Sequence, residues 1–182
     1  MTDLRPLSEL GRRICILGPS NSGKSTLADA IGRRIGLRVI HLDQFHHLPH
    51  TAWKPRPRDA FHALHDAAIQ ENDWVIDGNY SSCMPQRFAR ATGLILLDVS
   101  TLTSLGRYLY RTLFDRRRVG GLEGAPERIH MDMLRHIVVA TPANRARYAT
   151  MYDALPLPKV RLASTRAINE AYTSWQLDRV RA

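Results

Sequence analysis

The sequence predicts an α/β fold in which a five-stranded parallel sheet carries helices on both faces. Five short apolar runs are separated by segments whose apolar residues recur at helical spacing. The runs lack the polar alternation of a sheet with one face in water, which is typical of parallel strands joined by helical crossovers. The 182 residues are the size of one domain, and no internal repeat or shift in composition divides them.

Apolar runs bounded by turn residues predict strands at 13–17, 38–42, 74–77, 94–98 and 159–163. The first run leads into a polar, glycine-containing loop, after which Leu27 to Ile35 follow helical spacing and Gly36 is a stop signal. Prolines punctuate the connection that precedes the next helix. Helical spacing predicts further helices at 58–72, 102–114, 126–153 and 166–177, with a Gly-rich tip at 119–124.

The composition points to anionic partners. The chain has 26 Lys and Arg residues against 17 Asp and Glu, a net charge of +9, and all but three of the basic residues are arginine. Planar guanidinium groups suit bidentate phosphate contacts, so nucleotides, phosphorylated metabolites and nucleic acids are candidate partners. Genome base composition is the alternative explanation for the arginine preference.

The sequence predicts a cytoplasmic protein with no membrane partner. Its start lacks the apolar core of a signal peptide, and no stretch approaches the roughly 18 apolar residues of a membrane span. Cys15 and Cys83 are the only cysteines. Two cysteines make no disulfide framework, which is typical of a reducing compartment.

A complete phosphate-binding loop (P-loop, or Walker A) pattern follows the first predicted strand. Its residues predicted to bind a nucleotide are Gly18, Ser20, Asn21, Ser22, Gly23, Lys24, Ser25 and Thr26. Glycines let backbone N–H groups converge on an anion at a helix N-terminus. Lys24 adds a charge for the β- and γ-phosphates, and the Ser25 hydroxyl is a magnesium ligand. The expected ligand is ATP, or another nucleoside triphosphate, with Mg²⁺.

Three aspartates end predicted strands, where ligands of open α/β sheets collect. Asp77 is the preferred second magnesium residue, acting through water, and a turn-capping role before Gly78 is its alternative. Asp43 is predicted to orient or deprotonate an acceptor hydroxyl or to share the metal shell, with a helix N-cap role as its alternative. Asp98 is a weaker metal candidate.

An arginine-rich segment is predicted to form a lid at about 115–128. Arg107 and Arg111 lie four residues apart on one helix face, and Arg116, Arg117 and Arg118 follow. Such arginines can neutralise a transferring phosphoryl group, and Arg111 and Arg116 are the predicted catalytic members. A solvated charged face is the alternative.

Four of the eight histidines fall within ten residues, at 41, 46, 47 and 50. Their spacing fits no closed four-ligand metal site, although a transition-metal site is one hypothesis. We expect them to line an acceptor pocket or to lie on the surface.

The chain resembles the P-loop kinases of the adenylate kinase and shikimate kinase type, and more closely the proteins called topology modulation or FlaR-like proteins. The matching pieces are residues 18–26, 41–43, 74–80 and 94–99 with Arg107 and Arg111. The resemblance implies strand order 2-3-1-4-5 in a three-layer domain, an acceptor-binding insert at about 44–72 and an arginine-bearing lid. It also implies that Arg107 packs on the adenine and that Arg111 contacts phosphates.

One stretch departs from adenylate kinases. They have Asp-Gly-Phe-Pro-Arg where this chain has Asp-Gly-Asn-Tyr-Ser at 77–81, so the arginine that grips an acceptor nucleotide is missing there. Arg56, Arg58 and Arg87 are candidates to bind an acidic substrate in a different arrangement.

The leading functional hypothesis is a magnesium-dependent kinase that transfers the γ-phosphoryl group of ATP to a small-molecule or nucleotide acceptor. Lys24, Asp43, Arg111 and Arg116 are the predicted catalytic residues, Arg107 binds the nucleotide, and Ser25 with Asp77 forms the metal site. The alternative is a regulatory P-loop protein that binds nucleic acid and uses ATP as a switch. A nucleotide-binding scaffold without turnover is a third hypothesis.

Overall fold

The computed structural model describes residues 4–51, 53–114 and 141–179, in which five parallel strands form one sheet. The strands are β1 Arg13–Leu17, β2 Arg38–His41, β3 Trp74–Asp77, β4 Gly93–Leu97 and β5 Lys159–Leu162. Their order is β2-β3-β1-β4-β5, which confirms the predicted order. Because β1 is central, the loop that follows it opens at the middle of the carboxyl edge of the sheet.

Helices connect the strands. Within the described residues they are α1 Lys24–Ile35, α2 Leu42–His46, α3 Arg58–Ile69, α4 Met84–Arg90, α5 Thr101–Phe114, α6 Thr141–Ala154 and α7 Thr165–Ser174. Short 3-10 helices lie at Leu7–Leu10 and Ser81–Cys83. No helix in these ranges is both long and apolar enough to cross a bilayer.

Each face of the sheet has its own apolar core, because successive strand residues point to opposite faces. Ile14 and Ile16 of β1 join the core beneath α1 and α7. Cys15 and Leu17 join the opposite core, which α3, α4 and Tyr148 of α6 cover. Burial on both faces explains why the strands read as continuous apolar runs, and the predicted three-layer α/β class is confirmed.

The differences from the sequence expectations lie at element ends and in short elements. β2 ends at His41, and Leu42 begins helix α2, where its side chain is fully buried. Helices α2 and α4 have five and seven residues, too few to show a helical period in the sequence. The predicted lid at 115–128 lies outside the described residues.

Asp98, the weaker metal candidate, pairs with two arginines instead. Its Oδ1 accepts from Arg145 Nε at 2.6 Å and its Oδ2 from Arg161 Nη2 at 2.5 Å, so it ties β4 to α6 and β5. Burial alone would raise the pKa of Asp98, but these two charged hydrogen bonds outweigh it and hold the pKa below its ordinary value. The carboxylate thus has a structural partner on each side.

Asp98→Asn should destabilise the protein in a pH-dependent way. The lowered pKa means that the ionised form contributes stability above the ordinary aspartate pKa of about 3.9 and loses it as pH falls through the folded-state value. At pH 7 we expect a loss of about 1–3 kcal/mol in the free energy of unfolding, the range for hydrogen bonds to a charged group.

Urea unfolding of wild type and variant at pH 7 and pH 3 measures this effect. The difference should shrink at pH 3. Asp73→Asn is the matched control, because Asp73 pairs with Arg12 on the surface and should change stability by less than about 1 kcal/mol. A gap for Asp98→Asn that stays constant with pH contradicts the assignment.

Candidate functional site

The loop between β1 and α1 has the backbone shape that the P-loop pattern predicts. Gly23 caps α1 in the left-handed region with φ 99°, and Gly18 has φ 146°. A side chain at Gly18 would place its Cβ 2.3 Å from the Leu97 carbonyl oxygen. The glycine at 18 is therefore required both by its conformation and by the close approach of β4. The loop ends at the N-terminus of α1, where backbone N–H groups and the helix dipole favour an anion.

The predicted P-loop side chains lie in and around this loop. Lys24 Nζ donates to the carbonyls of Gly18 at 3.0 Å and Pro19 at 2.8 Å, so its ammonium folds over the loop. The Ser22 side chain is fully buried, and within the described structure its hydroxyl has no hydrogen-bond partner. The loop therefore brings a full positive charge and a buried hydroxyl together at the start of α1.

Asp77 lies directly beside the loop at the end of β3. Its Oδ2 accepts a hydrogen bond from the Ser25 hydroxyl at 2.6 Å, as expected if the two residues share one site. Its Oδ1 lies 2.6 Å from His41 Nδ1, and His41 Nε2 lies 3.1 Å from Asp29 Oδ1. Ser25, Asp77, His41 and Asp29 thus form one hydrogen-bonded chain, which we call the Asp77 chain.

The Asp77 chain keeps its central carboxylate charged. Burial alone would raise the pKa of Asp77, but the hydrogen bond and charge of His41, with help from Ser25 and Lys24, hold the pKa below its ordinary value. Burial lowers the pKa of His41, yet Asp77 and Asp29 outweigh it, so the net pKa of His41 is raised. Each group is therefore stabilised in its charged form by the other.

The donor set at Ser25 and Asp77 fits Mg²⁺. One hydroxyl and one carboxylate lie 2.6 Å apart beside the P-loop, and hard oxygen donors of this kind suit that ion, which in proteins keeps several waters and phosphate oxygens as its other ligands. In contrast, no group of three or more His, Cys, Asp or Glu side chains within the described ranges could hold a metal ion by itself. The histidine-rich segment therefore does not support the transition-metal hypothesis.

His46 and His47 of that segment pack among aromatic rings. His46 stacks on Tyr80 with ring centroids 4.6 Å apart and meets Phe61 edge-on at 5.2 Å. Tyr80 in turn donates its phenolic hydroxyl to Asp43 Oδ1 at 2.7 Å. Asp43 lies in the first turn of α2, two residues after β2 ends. An oriented carboxylate thus lies beside a cluster of aromatic rings.

Asn79 is a site residue that sequence reasoning missed. Its Nδ2 donates to the Gly18 carbonyl at 2.6 Å, and its Oδ1 accepts from the Gly18 N–H at 3.2 Å. The amide therefore fixes the first residue of the P-loop from the loop after β3. Its place two residues after Asp77 was the only signal in the sequence.

Arg87, one of three arginines predicted as candidates for binding an acidic substrate, lies in the protein interior instead. The guanidinium is fully buried on α4, and its Nη1 donates to the Gly78 carbonyl at 3.0 Å. Its Nε and Nη2 have no hydrogen-bond partner within the described structure. Arg87 thus holds the backbone carbonyl of the residue immediately after Asp77.

Arg107 crosses the P-loop. Its Nη1 donates to the Ser22 carbonyl at 2.5 Å and its Nη2 to the Thr165 hydroxyl at 3.3 Å, so it joins α5 to the loop and to the start of α7. Burial first, and the nearby Arg179 charge second, lower the pKa of Arg107. The Arg111 side chain and all of Arg116 lie outside the described residues.

Comparison with solved structures supports the same reading of the fold. The chain is similar to a gluconokinase from Sinorhizobium meliloti, with 16% identity over 92% of this chain and 93% of that chain and a TM-score of 0.54. It is also similar to a shikimate kinase from Bacteroides thetaiotaomicron, with 19% identity over 91% and 94% of the two chains and a TM-score of 0.53.

The chain has the P-loop kinase fold. It matches no protein-family model and no curated protein. The resemblance to topology modulation proteins therefore stays a prediction within the P-loop kinase fold.

Gly18→Ala should damage both the fold and the loop. The Cβ would overlap a backbone carbonyl that cannot rotate away, so we expect a loss of at least about 2 kcal/mol in the free energy of unfolding, the size typical of core overpacking. We also expect triphosphate affinity to fall at least about tenfold, which is roughly 1.4 kcal/mol of binding free energy.

Gly36→Ala is the matched control. Gly36 also has a positive φ, 64°, but an added Cβ meets nothing within 4 Å. Its cost should be only the left-handed backbone penalty of about 1–2 kcal/mol, with triphosphate affinity unchanged. Chemical unfolding and titration with a non-hydrolysable ATP analogue measure both effects. Equal losses of affinity in the two variants would contradict the steric argument.

Proposed function

We propose that this protein is a magnesium-dependent kinase that transfers the γ-phosphoryl group of ATP to a hydroxyl or phosphate group of a small acceptor. The observation that carries the proposal is the contact of 2.6 Å between the P-loop hydroxyl of Ser25 and the strand-end carboxylate of Asp77. Those two groups are the pair that P-loop enzymes use for the metal of a bound triphosphate. The kinase fold of both structural neighbours supports it.

Binding of the triphosphate would use the loop backbone and Lys24. The amides at the start of α1 would receive the β- and γ-phosphates, and the Lys24 ammonium would turn from the Gly18 and Pro19 carbonyls to the phosphate oxygens. Arg107, already fixed across the loop at Ser22 and Thr165, would form one side of the adenine site. A planar guanidinium can stack on a base.

Ser25 would hold Mg²⁺ directly and Asp77 through water. The ion, when bound, neutralises charge on the phosphate oxygens during transfer. Asp77 is ready for this role because its carboxylate is buried, ionised and fixed at both oxygens.

Asp43 would act on the acceptor. Tyr80 donates a hydrogen bond to its Oδ1, which sets the direction of the carboxylate, and the carboxylate would orient the acceptor or accept its proton. Arg111 and Arg116 would close over the transferring group and exclude water, which separates transfer from hydrolysis. Since both neighbours are kinases named for small molecules, we propose a small-molecule acceptor from outside the chain. We also propose a cytoplasmic location, because Cys15 and Cys83 are both buried free thiols.

Lys24→Ala should abolish phosphoryl transfer without unfolding the protein. Lys24 places a full positive charge over the loop, so we expect turnover to fall at least about a hundredfold, or roughly 2.7 kcal/mol of transition-state stabilisation. The measurement is ADP formation from ATP with Mg²⁺, with and without a panel of nucleotides, sugars and hydroxy acids.

Arg5→Ala is the control, since Arg5 is an exposed cation before β1 that pairs with Glu9. It should keep wild-type turnover, and thermal unfolding should show both variants folded. Turnover by Lys24→Ala at the wild-type rate would refute the proposed function. Acceptor-dependent ADP formation by wild type would favour transfer over hydrolysis.

A further inference from the structure

We propose that His41 is the positioning residue of the metal site: it holds the Asp77 carboxylate facing the Ser25 hydroxyl, and Asp29 in turn fixes the His41 ring. This inference rests on the proposed function, because it concerns the same magnesium site. It adds a residue for which neither the P-loop pattern nor the strand-end carboxylates gave a role.

Asp77 has one hydrogen-bond partner at each of its two carboxylate oxygens. The residue is 5% exposed, so water cannot satisfy both of its oxygens. Ser25 bonds one oxygen and His41 bonds the other, each at 2.6 Å. Without the imidazole, Oδ1 would be a buried acceptor with no partner, and the carboxylate would rotate about its broad terminal torsion to find another donor. The orientation toward Ser25 therefore depends on His41.

The His41 ring is also held at both of its nitrogens, so it cannot turn freely. The parallel register places His41 directly opposite Asp77 on the neighbouring strand, which sets the distance between the two side chains. The far ring nitrogen bonds to Asp29 on α1, so a ring flip would break two contacts with carboxylates at once. Arg33 lies 4.0 Å from the other Asp29 oxygen and steadies that carboxylate from the surface.

The Asp77 chain begins and ends on helix α1. α1 supplies Ser25 at its start and Asp29 one turn later, so the same helix carries the metal hydroxyl and the outer end of the Asp77 chain. Any shift of α1 relative to β2 and β3 would disturb both ends together. Residues that hold a metal ligand in this way typically change metal affinity about 10- to 100-fold when removed.

Two variants of His41 separate its two bonds. The amide nitrogen of asparagine reaches the position of Nδ1, and that of glutamine reaches the position of Nε2. His41→Asn should therefore keep the bond to Asp77, whereas His41→Gln should lose it and keep only the contact with Asp29. His62→Gln is the matched control for the exchange of histidine for glutamine, since His62 lies on α3, outside the Asp77 chain, and bonds Ser82.

The readout is binding of a non-hydrolysable ATP analogue by calorimetry, once with Mg²⁺ and once with EDTA. In wild type, Mg²⁺ should strengthen binding. For His41→Gln we expect this strengthening to fall about tenfold or more, with affinity in EDTA within about twofold of wild type. His41→Asn should restore most of it. A purely structural role would instead lower the melting temperature and weaken binding equally in both conditions.

The outcomes separate the two proposals. If wild type binds the analogue equally well with Mg²⁺ and EDTA, the proposed magnesium site fails and this inference fails with it. If wild type responds to Mg²⁺ and His41→Gln responds to the same extent, the proposed function stands and the positioning role of His41 is overturned. Equal losses in His41→Asn and His41→Gln would also overturn it, because the bond to Asp77 would then not be what matters.

Discussion

The carboxylate of Asp77 is the constraint on which the rest of the site depends. A buried charge is tolerated only where both of its oxygens find donors, and here the two donors come from elements far apart in the chain. Ser25 belongs to α1 and His41 to β2, while Asp77 itself ends β3. The sheet register brings them together, since Asp77 is opposite Ile16 on one side and His41 on the other. The P-loop and the two strands are thus fixed relative to one another by one charged group.

The hydrogen bonds at the Gly18 carbonyl allow Lys24 to change its partner at a low cost in free energy. The Gly18 carbonyl accepts hydrogen bonds from both Lys24 and Asn79. If the Lys24 ammonium turns to a phosphate, the carbonyl keeps its bond to Asn79, so no buried acceptor is left without a partner. Arg87 likewise donates a hydrogen bond to the carbonyl of Gly78, the residue before Asn79. The loop after β3 is therefore held from two sides while the lysine remains available.

In the structure, many of the described arginines contact other groups of the same chain. Several described arginines pair with carboxylates of the chain itself, as Arg12 does with Asp73, Arg38 with Glu71 and Arg166 with Glu170. Others bond backbone carbonyls or the loop, as Arg107 does at Ser22. Many of the described arginines thus serve contacts within the fold, and an arginine-rich composition by itself is weak support for nucleic acid as the partner. Phosphate chemistry is better argued from the P-loop than from the isoelectric point.

The parts of the site that could be predicted from the sequence are those encoded by residues close together in the chain. The P-loop pattern identified Ser25, and the end of an apolar run identified Asp77, because each signal is local. His41 and Asn79 act through partners 36 and 61 residues away, and these contacts exist only once β3 lies between β1 and β2. A histidine at a strand end has many possible uses, and only the register selects one. The strands and the longer helices were therefore predictable, whereas the residues that orient the carboxylate and the loop could be found only in the folded sheet.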